Sequence, residues 1–174
     1  MDQIVEMRAG QFISATSLSK FPHGENSVPC FGGNGIRGYL DRKSHNGDYL
    51  LIGRQGALCG NVHRIVGDFY ATEHAVVAKP RDGVNIDWLF HLLTKMNLNQ
   101  YATKSAQPGL SVERISRVLL PLPAVSEQEK TAEILDSFDL LISDLSVGLP
   151  AELSARRKQY EHYRDKLLKF EEAA

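Results

Sequence analysis

The stretch that decides the fold is YLLIGRQGALCGNVHRIVGDFYATEHAVVA, residues 49–78. It contains three strand-like runs: Tyr49–Ile52 is continuously apolar, Asn61–Val66 alternates, and Phe69–Ala78 is rich in aromatic and β-branched residues. Glycines separate the runs, and the turn formers HNGD, residues 45–48, precede the first. We therefore predict a sheet here, with Thr72–Ala75 inside its third strand, where alternating polar residues form a solvated face.

Beyond this stretch the spacing changes to that of a helix and then returns to that of a strand. Apolar residues recur at helical intervals within Ile86–Met96, behind a start signal at Asn85. A polar loop follows at Thr103–Ser111, and Ser116–Leu120 is strand-like until two prolines end it. The sequence predicts a mixed-strand globular α+β domain over residues 1–125.

The remaining segment, residues 126–174, is predicted to be a long, kinked, coiled-coil-like helical region. Ser126 with Glu129 three residues later is typical of a capping box. Gly148–Pro150 predicts a break or kink, because a proline inside a helix removes a backbone hydrogen bond. The apolar side chains at intervals of three, four or seven residues, which we expect to meet another helix, are Ile134, Phe138, Leu141, Leu145, Leu153, Tyr160, Tyr163 and Leu167. The alternative is a surface helix packed on its own domain.

Composition and charge argue against a membrane protein, a secreted protein and a small domain held together by disulfides or zinc. The sequence contains neither a run long enough to span a bilayer nor a signal peptide at its start, so we expect a cytoplasmic protein. Cys30 and Cys59 fit no disulfide framework or zinc motif, and we expect both to be ordinary buried residues. The net charge of -1 hides an asymmetry: residues 1–125 carry 13 Lys+Arg against 10 Asp+Glu, and the rest carries 7 against 11. This weakly favours a front domain that binds an anionic partner.

Motifs for catalysis are missing. The glycines of Gly53–Gly60 follow a predicted strand but lack the Lys-Ser/Thr of a phosphate-binding loop. The six histidines show no metal-binding spacing, and no serine lies in a nucleophile motif. We therefore expect no catalytic residue, no metal and no cofactor.

Three long segments, Leu50–Val77, Gln107–Asp139 and Gly148–Leu168, resemble those of type I restriction-modification DNA specificity (S) subunits, and they occur in the order that this family uses. The resemblance implies a target-recognition domain that reads one half of a split site in double-stranded DNA, followed by a helical spacer that positions methyltransferase (M) subunits and, through them, restriction (R) subunits. A complete subunit of the family carries two such domains, so this chain resembles a half-subunit. We expect it to pair with a second copy through its helices.

Residues that contact DNA are expected in polar, glycine-rich loops, since Arg and Lys read guanine while Asn and Gln read adenine. The loops at Asn34–Asn46 and Thr103–Ser111 and the strand exit at Arg54 qualify. The candidates are Asn34, Arg37, Arg42, Lys43, His45, Arg54, Gln55, Lys104, Ser105 and Gln107. Each of them has the alternative of being an ordinary solvated side chain.

Two hypotheses for function remain open at this point. The chain is either a non-catalytic subunit that reads a DNA sequence, or an adaptor that dimerises or binds methyltransferase without reading DNA. An autonomous methyltransferase or nuclease is disfavoured because the sequence contains neither an N/D-P-P-Y/F motif nor a nuclease carboxylate pattern.

Overall fold

The computed structural model describes residues 1–25, 27–104 and 108–167. Its elements are β1 (Val5–Ala9), β2 (Val28–Gly32), β3 (Gly35–Leu40), β4 (His45–Gly53), β5 (Val62–Ala71), β6 (Ala75–Pro80), α1 (Ile86–Lys95), α2 (Val112–Ser116) and α3 (Val125–Leu167), with short 3-10 turns at Ala15–Ser17 and Leu98–Tyr101. The chain divides into two compact units, one from Met1 to Ala132 and one from Glu133 onward. The predicted α+β class is confirmed.

The six strands form one mixed sheet in the order β1-β6-β4-β5-β2-β3. The pair β2 and β5 is parallel and the other neighbouring pairs are antiparallel. The strand predicted at Tyr49–Ile52 is confirmed as part of β4, at the centre of the sheet. Residues 45–48, which we predicted to be a turn, instead form the first half of β4 and pair with β5.

The sheet curls back on itself, as its register requires. His45 pairs with Phe69 and Gly53 pairs with Ala75, so the two partners are six residues apart although the two ends of β4 are eight apart. A straight β4 would separate its ends by roughly 27 Å, at about 3.3 Å per residue. The six-residue step from Phe69 to Ala75, even fully extended, is shorter than this distance, so β4 must bend. Gly47 and Gly67 lie opposite each other with φ of 117° and 91°, and these left-handed conformations allow the bend.

Two apolar layers cover the faces of β4. Leu50 and Ile52 are fully buried against α1 and the segments that follow it. Leu51 points the other way and packs with Phe31 and Phe69 inside the curl. A strand that is buried on both faces needs a continuous apolar run, which is what residues 49–52 provide.

Two of the predicted strands are wrong. The run Phe69–Ala78 is split by a turn at residues 72–74, so Glu73 and His74 do not lie on a strand face. Ser116–Leu120 is not a strand, because Ser111 caps the short helix α2 by accepting from the Arg114 backbone N–H, and residues 118–120 after this helix belong to no helix or strand. By contrast, α1 and its cap are confirmed, since the Asn85 side chain accepts a bond of 2.8 Å from the Trp88 N–H.

Helix α3 differs from its prediction at two places. It begins at Val125, so Ser126 lies inside the first turn and is not the N-cap. The helix also continues through Gly148–Pro150 to Leu167, so the predicted break is wrong. Pro150 has no backbone N–H to donate, and the helix continues past it without that one hydrogen bond. Within the described part of the chain, no helix combines the length and apolarity of a membrane-spanning segment.

Gln128, in the first turns of α3, bonds the start of this helix to the rest of the first unit. It is buried, with 1% of its surface exposed. Its Oε1 accepts from the Asn85 N–H at 2.8 Å, and its Nε2 donates to the carbonyl oxygens of Pro123 at 2.9 Å and Gly83 at 3.2 Å. A single amide thus joins the starts of α1 and α3.

Replacing Gln128 with Leu should lower the free energy of unfolding by about 2 kcal/mol or more, because the leucine leaves a buried N–H and two carbonyls without their partner. The measurement is urea unfolding, and the exposed neighbour Glu129→Ala is the control, with an expected change within about 0.5 kcal/mol. Equal effects of the two substitutions would show that the Gln128 bonds contribute nothing.

Candidate nucleic-acid interface

Three backbone segments meet at the C-terminal end of β4, because glycines let them approach closely. A Cβ atom on Gly53 would lie 2.2 Å from the carbonyl oxygen of Gly33, in the turn between β2 and β3. A Cβ atom on Gly33 would lie 2.9 Å from the carbonyl oxygen of His74, in the turn between β5 and β6. Glycine is therefore required at both contacts.

A cleft of about 340 Å³ opens where these segments meet, and Asn34, Arg37, Gln55 and His74 line it together with backbone of the glycine-rich turn. The aliphatic stem of Arg37 lies over Gly32, where a Cβ atom would come within 2.5 Å of the Arg37 Cδ. The Asn34 Oδ1 accepts from the Asn61 Nδ2 at 2.9 Å. Three of the predicted DNA-contacting residues are thus brought to one site.

The turn at residues 72–75 is held firmly. Thr72 is completely buried and its N–H donates to the Phe31 carbonyl, while the Ala75 N–H donates back to the Thr72 carbonyl. The half-buried Arg54 braces the turn, since its backbone N–H donates to His74 O at 2.9 Å and its Nη1 donates to Glu73 O at 2.8 Å. Arg54 therefore stabilises the turn that carries His74, one of the residues that line the cleft.

The loop predicted at Thr103–Ser111 joins the same end of the sheet. Gln55 and Gly109 form a β-bridge, and the Leu110 N–H donates to Arg54 O at 2.8 Å. At the other side of the loop, Lys104 lines a second cleft of about 580 Å³ with Arg114 and Arg117. The predicted contacts Ser105 and Gln107 lie outside the described residues.

Three other candidates lie elsewhere. The predicted loop Asn34–Asn46 is wrong as one element, because β3 occupies its centre and separates Asn34 from the connection that holds Arg42 and Lys43. Lys43 Nζ pairs with Asp68 at 3.0 Å, and Arg42 lies 3.9 Å from Asp41. His45 stacks on Phe69 with ring centroids 5.1 Å apart, and burial lowers the pKa of its imidazole.

Sequence reasoning missed five polar residues at these two clefts: Asn61, Glu73, His74, Arg114 and Arg117. Glu73 and His74 were assigned to a strand. Arg114 and Arg117 were overlooked because the segment around Ser116 was also predicted to be a strand. The available signal was Ser111 followed by Glu113, a cap with an acidic first turn, which predicts a helix.

Comparisons with known proteins assign the chain to a family. Residues 11–155 match the model of the type I restriction modification DNA specificity domain. The type I restriction enzyme EcoprrI specificity subunit of Escherichia coli is 56% identical over 146 residues, which are 84% of this chain and 36% of that protein. A putative type I restriction enzyme specificity subunit of Haemophilus influenzae is 32% identical over 84% of this chain and 40% of its own length. The chain belongs to the type I restriction-modification DNA specificity family.

Solved structures agree on the fold. An S subunit of a type I restriction-modification system from M. genitalium matches with a TM-score of 0.70 and 16% identity, over 98% of this chain and 45% of that one. A chain from a study of complex assembly and conformational transition of the type I R-M system matches with a TM-score of 0.72 and 19% identity, over 92% and 42%. This chain therefore spans less than half the length of these relatives.

Cys30 lies in β2, where it is fully buried in a core cluster with Ile13, Leu40 and Tyr70. Burial, opposed by the charge of Arg37 and reinforced by that of Glu73, raises the pKa of the Cys30 thiol to about 11. Cys59 is also buried, with 1% exposed, which confirms the expectation for both cysteines.

Neither thiol should react with a disulfide reagent at pH 8 while the protein is folded, because both are shielded and only about a thousandth of Cys30 would be thiolate at that pH. Both should react at once in guanidinium chloride, which serves as the control. A fast-reacting Cys30 in the native protein would contradict the packing of strand β2 against β5, and a fast-reacting Cys59 would contradict the burial of the turn between β4 and β5.

Proposed function

We propose that this chain is the non-catalytic DNA-recognition part of a type I restriction-modification complex and that it reads one half of a split target. In this proposal residues 1–125 form the recognition domain and residues 126–174 the spacer. The observation that carries the proposal is the glycine-walled cleft with Asn34, Arg37, Gln55 and His74. The family membership supports it.

The chemistry of the cleft suits a base edge in the major groove. Arginine donates in a bidentate manner to guanine, and asparagine and glutamine combine a donor and an acceptor as adenine requires. Asn34, in the β2–β3 turn, and Arg37, in β3, are both exposed, and the absence of side chains on the neighbouring glycines lets DNA come close. The braced turn behind them keeps the set in a fixed geometry.

The second cleft suits the DNA backbone. Lys104, Arg114 and Arg117 bring three positive charges to it, and one of them, Arg117, is paired with Glu113. The two clefts are close together. The Thr103 N–H donates to Gly109 O, and Gly109 in turn forms a β-bridge with Gln55. Each of these two steps is about 5 Å, so Thr103 lies roughly 10 Å from Gln55. The major groove is about 12 Å wide, so one cleft can lie at a base edge while the other lies at the flanking phosphates.

The alternative is an adaptor that binds methyltransferase or a second copy without reading sequence. It would need no fixed set of exposed donors and acceptors at the glycine-rich turn. In our proposal the chain also positions the M subunits and, through them, the R subunits. It catalyses no reaction itself.

Substitutions in the two clefts should have different signatures. Arg37→Ala should weaken binding to the preferred duplex by about 1 to 3 kcal/mol and relax the preference at one position, since a bidentate base contact is lost. Lys104→Ala should weaken binding to every duplex and lower the salt slope by about one charge. The measurement is fluorescence anisotropy at several salt concentrations, on duplexes selected from a random pool.

Lys130→Ala, an exposed lysine of α3, is the matched control and should leave both the affinity and the slope unchanged. Unchanged binding in the Arg37→Ala, Lys104→Ala double variant would place the DNA surface elsewhere. A wild-type chain that selects no sequence would favour the adaptor.

Helix α3 is proposed to pair with the same helix of a second copy, as a ruler between two recognition domains. Ile134, Phe138 and Leu141 are 49%, 56% and 58% exposed although they are large and apolar. They recur at steps of four and three, the spacing of a helix-packing seam. The side chains of Leu145, Leu153, Tyr160, Tyr163 and Leu167 lie outside the described residues. Twofold pairing is the commonest closed symmetry and would match an inverted-repeat target.

Light scattering at tens of micromolar should give twice the chain mass, and Phe138→Asp with Leu141→Asp should reduce it to that of a monomer, because a buried carboxylate opposes helix packing. Ser137→Asp is the control. Ser137 is exposed and is not one of the apolar positions of the seam, so this variant should remain a dimer. A monomeric wild-type chain would contradict self-pairing and leave the seam for methyltransferase helices.

A further inference from the structure

The imidazole of His74 lies between a glutamine and a glutamate at the cleft. Its Nδ1 is 2.7 Å from Gln55 Oε1, and its Nε2 is 3.1 Å from Glu73 Oε1. An amide oxygen only accepts hydrogen bonds, so Nδ1 is the donor in its contact with Gln55. The Glu73 carboxylate lies at the opposite ring nitrogen and holds the ring in this orientation.

This contact fixes the orientation of the Gln55 amide. With Oε1 engaged by His74, the part of the amide left for a ligand is Nε2 with its two N–H donors. The backbone around it is held as well, since Gln55 forms a β-bridge with Gly109 and Arg54 bonds to the Glu73–His74 turn. Gln55 is exposed at the cleft and would otherwise be able to turn its amide by half a rotation.

We propose that the pair Glu73 and His74 makes Gln55 a reader of hydrogen-bond acceptors, and so determines the specificity at one base pair. This inference rests on the proposed function. The ligand class is a base with a keto oxygen in the major groove: guanine offers O6 and N7, and thymine offers O4. Cytosine presents only its amino donor there and is rejected. Adenine, which pairs best with an amide that offers both a donor and an acceptor, is disfavoured because the acceptor is already engaged.

His74 is a positioning residue in this proposal, because it acts through Gln55. Arg37 lines the same cleft, and Arg54 holds the turn that carries His74 through its bond to Glu73 O. The Glu73 carboxylate fixes the ring from the other side, with its Oε1 3.1 Å from Nε2. A purely structural role for His74 would affect the stability of the turn but not which base is chosen.

The test is selection of randomised duplexes by the full chain, followed by sequencing, with wild type, Gln55→Ala, His74→Phe and the double variant. Wild type should prefer guanine or thymine at one position. His74→Phe should reduce that preference about tenfold and admit adenine, since the amide is then able to turn. Gln55→Ala should remove the preference, and His74→Phe should add nothing in the Gln55→Ala background.

Two further variants keep the test decisive if His74→Phe folds poorly. Glu73→Ala should broaden the preference in the same direction, whereas Glu73→Gln retains an acceptor for the ring and should preserve most of it. Gln55→Glu presents only acceptors and should move the preference toward cytosine.

The outcomes separate the inference from its premise. A wild-type chain that enriches no sequence would overturn the proposed function and this inference with it. A wild-type motif that His74→Phe and Glu73→Ala leave unchanged, or an effect of His74→Phe that persists without Gln55, would overturn this inference alone.

Discussion

The contact between the backbones of Gly33 and Gly53 is the constraint on which the candidate interface depends. At 2.2 Å from the Gly33 carbonyl, no Cβ atom fits on Gly53, so the β2–β3 turn can lie against the end of β4 only because Gly53 lacks a side chain. The same approach brings Gly33 to the carbonyl of His74. Without it, Asn34 and Arg37 of the β2–β3 hairpin would not share a cleft with Gln55, after β4, and His74, in the β5–β6 turn.

The curl of the sheet places this contact where it can be used. Gly47 and Gly67 bend the β4–β5 pair, so the end of β5 swings round to pair in parallel with β2 and the following turn returns to the end of β4. The apolar layer around Leu51 and Phe69 fills the inside of the bend. A rigid scaffold with short polar turns at one end is an arrangement that holds recognition side chains in place.

The sequence was sufficient for elements whose signal is local. The apolar run at Tyr49–Ile52 and the capped, amphipathic α1 were predicted from spacing and from one side chain, Asn85, and both are confirmed. The curl was not predictable, because Gly47 and Gly67 look like turn glycines, and only their pairing across two strands shows that they bend a sheet. Glu73 and His74 were misplaced for a related reason: the turn that contains them is held by tertiary bonds from Arg54 to their carbonyl oxygens. Likewise, Asn34, Arg37 and Gln55 were named from residue type, but their meeting in one cleft depends on contacts between segments far apart in the chain.

The most direct test of the account is an experimental structure of the chain bound to a duplex carrying its selected sequence. The account predicts that Arg37 and Gln55 lie within hydrogen-bond distance, roughly 2.7 to 3.2 Å, of base edges in the major groove, and that Lys104 and Arg114 face phosphates. DNA seated on the β1 edge of the sheet, or held only by phosphate contacts with the glycine-rich cleft open to solvent, would contradict it.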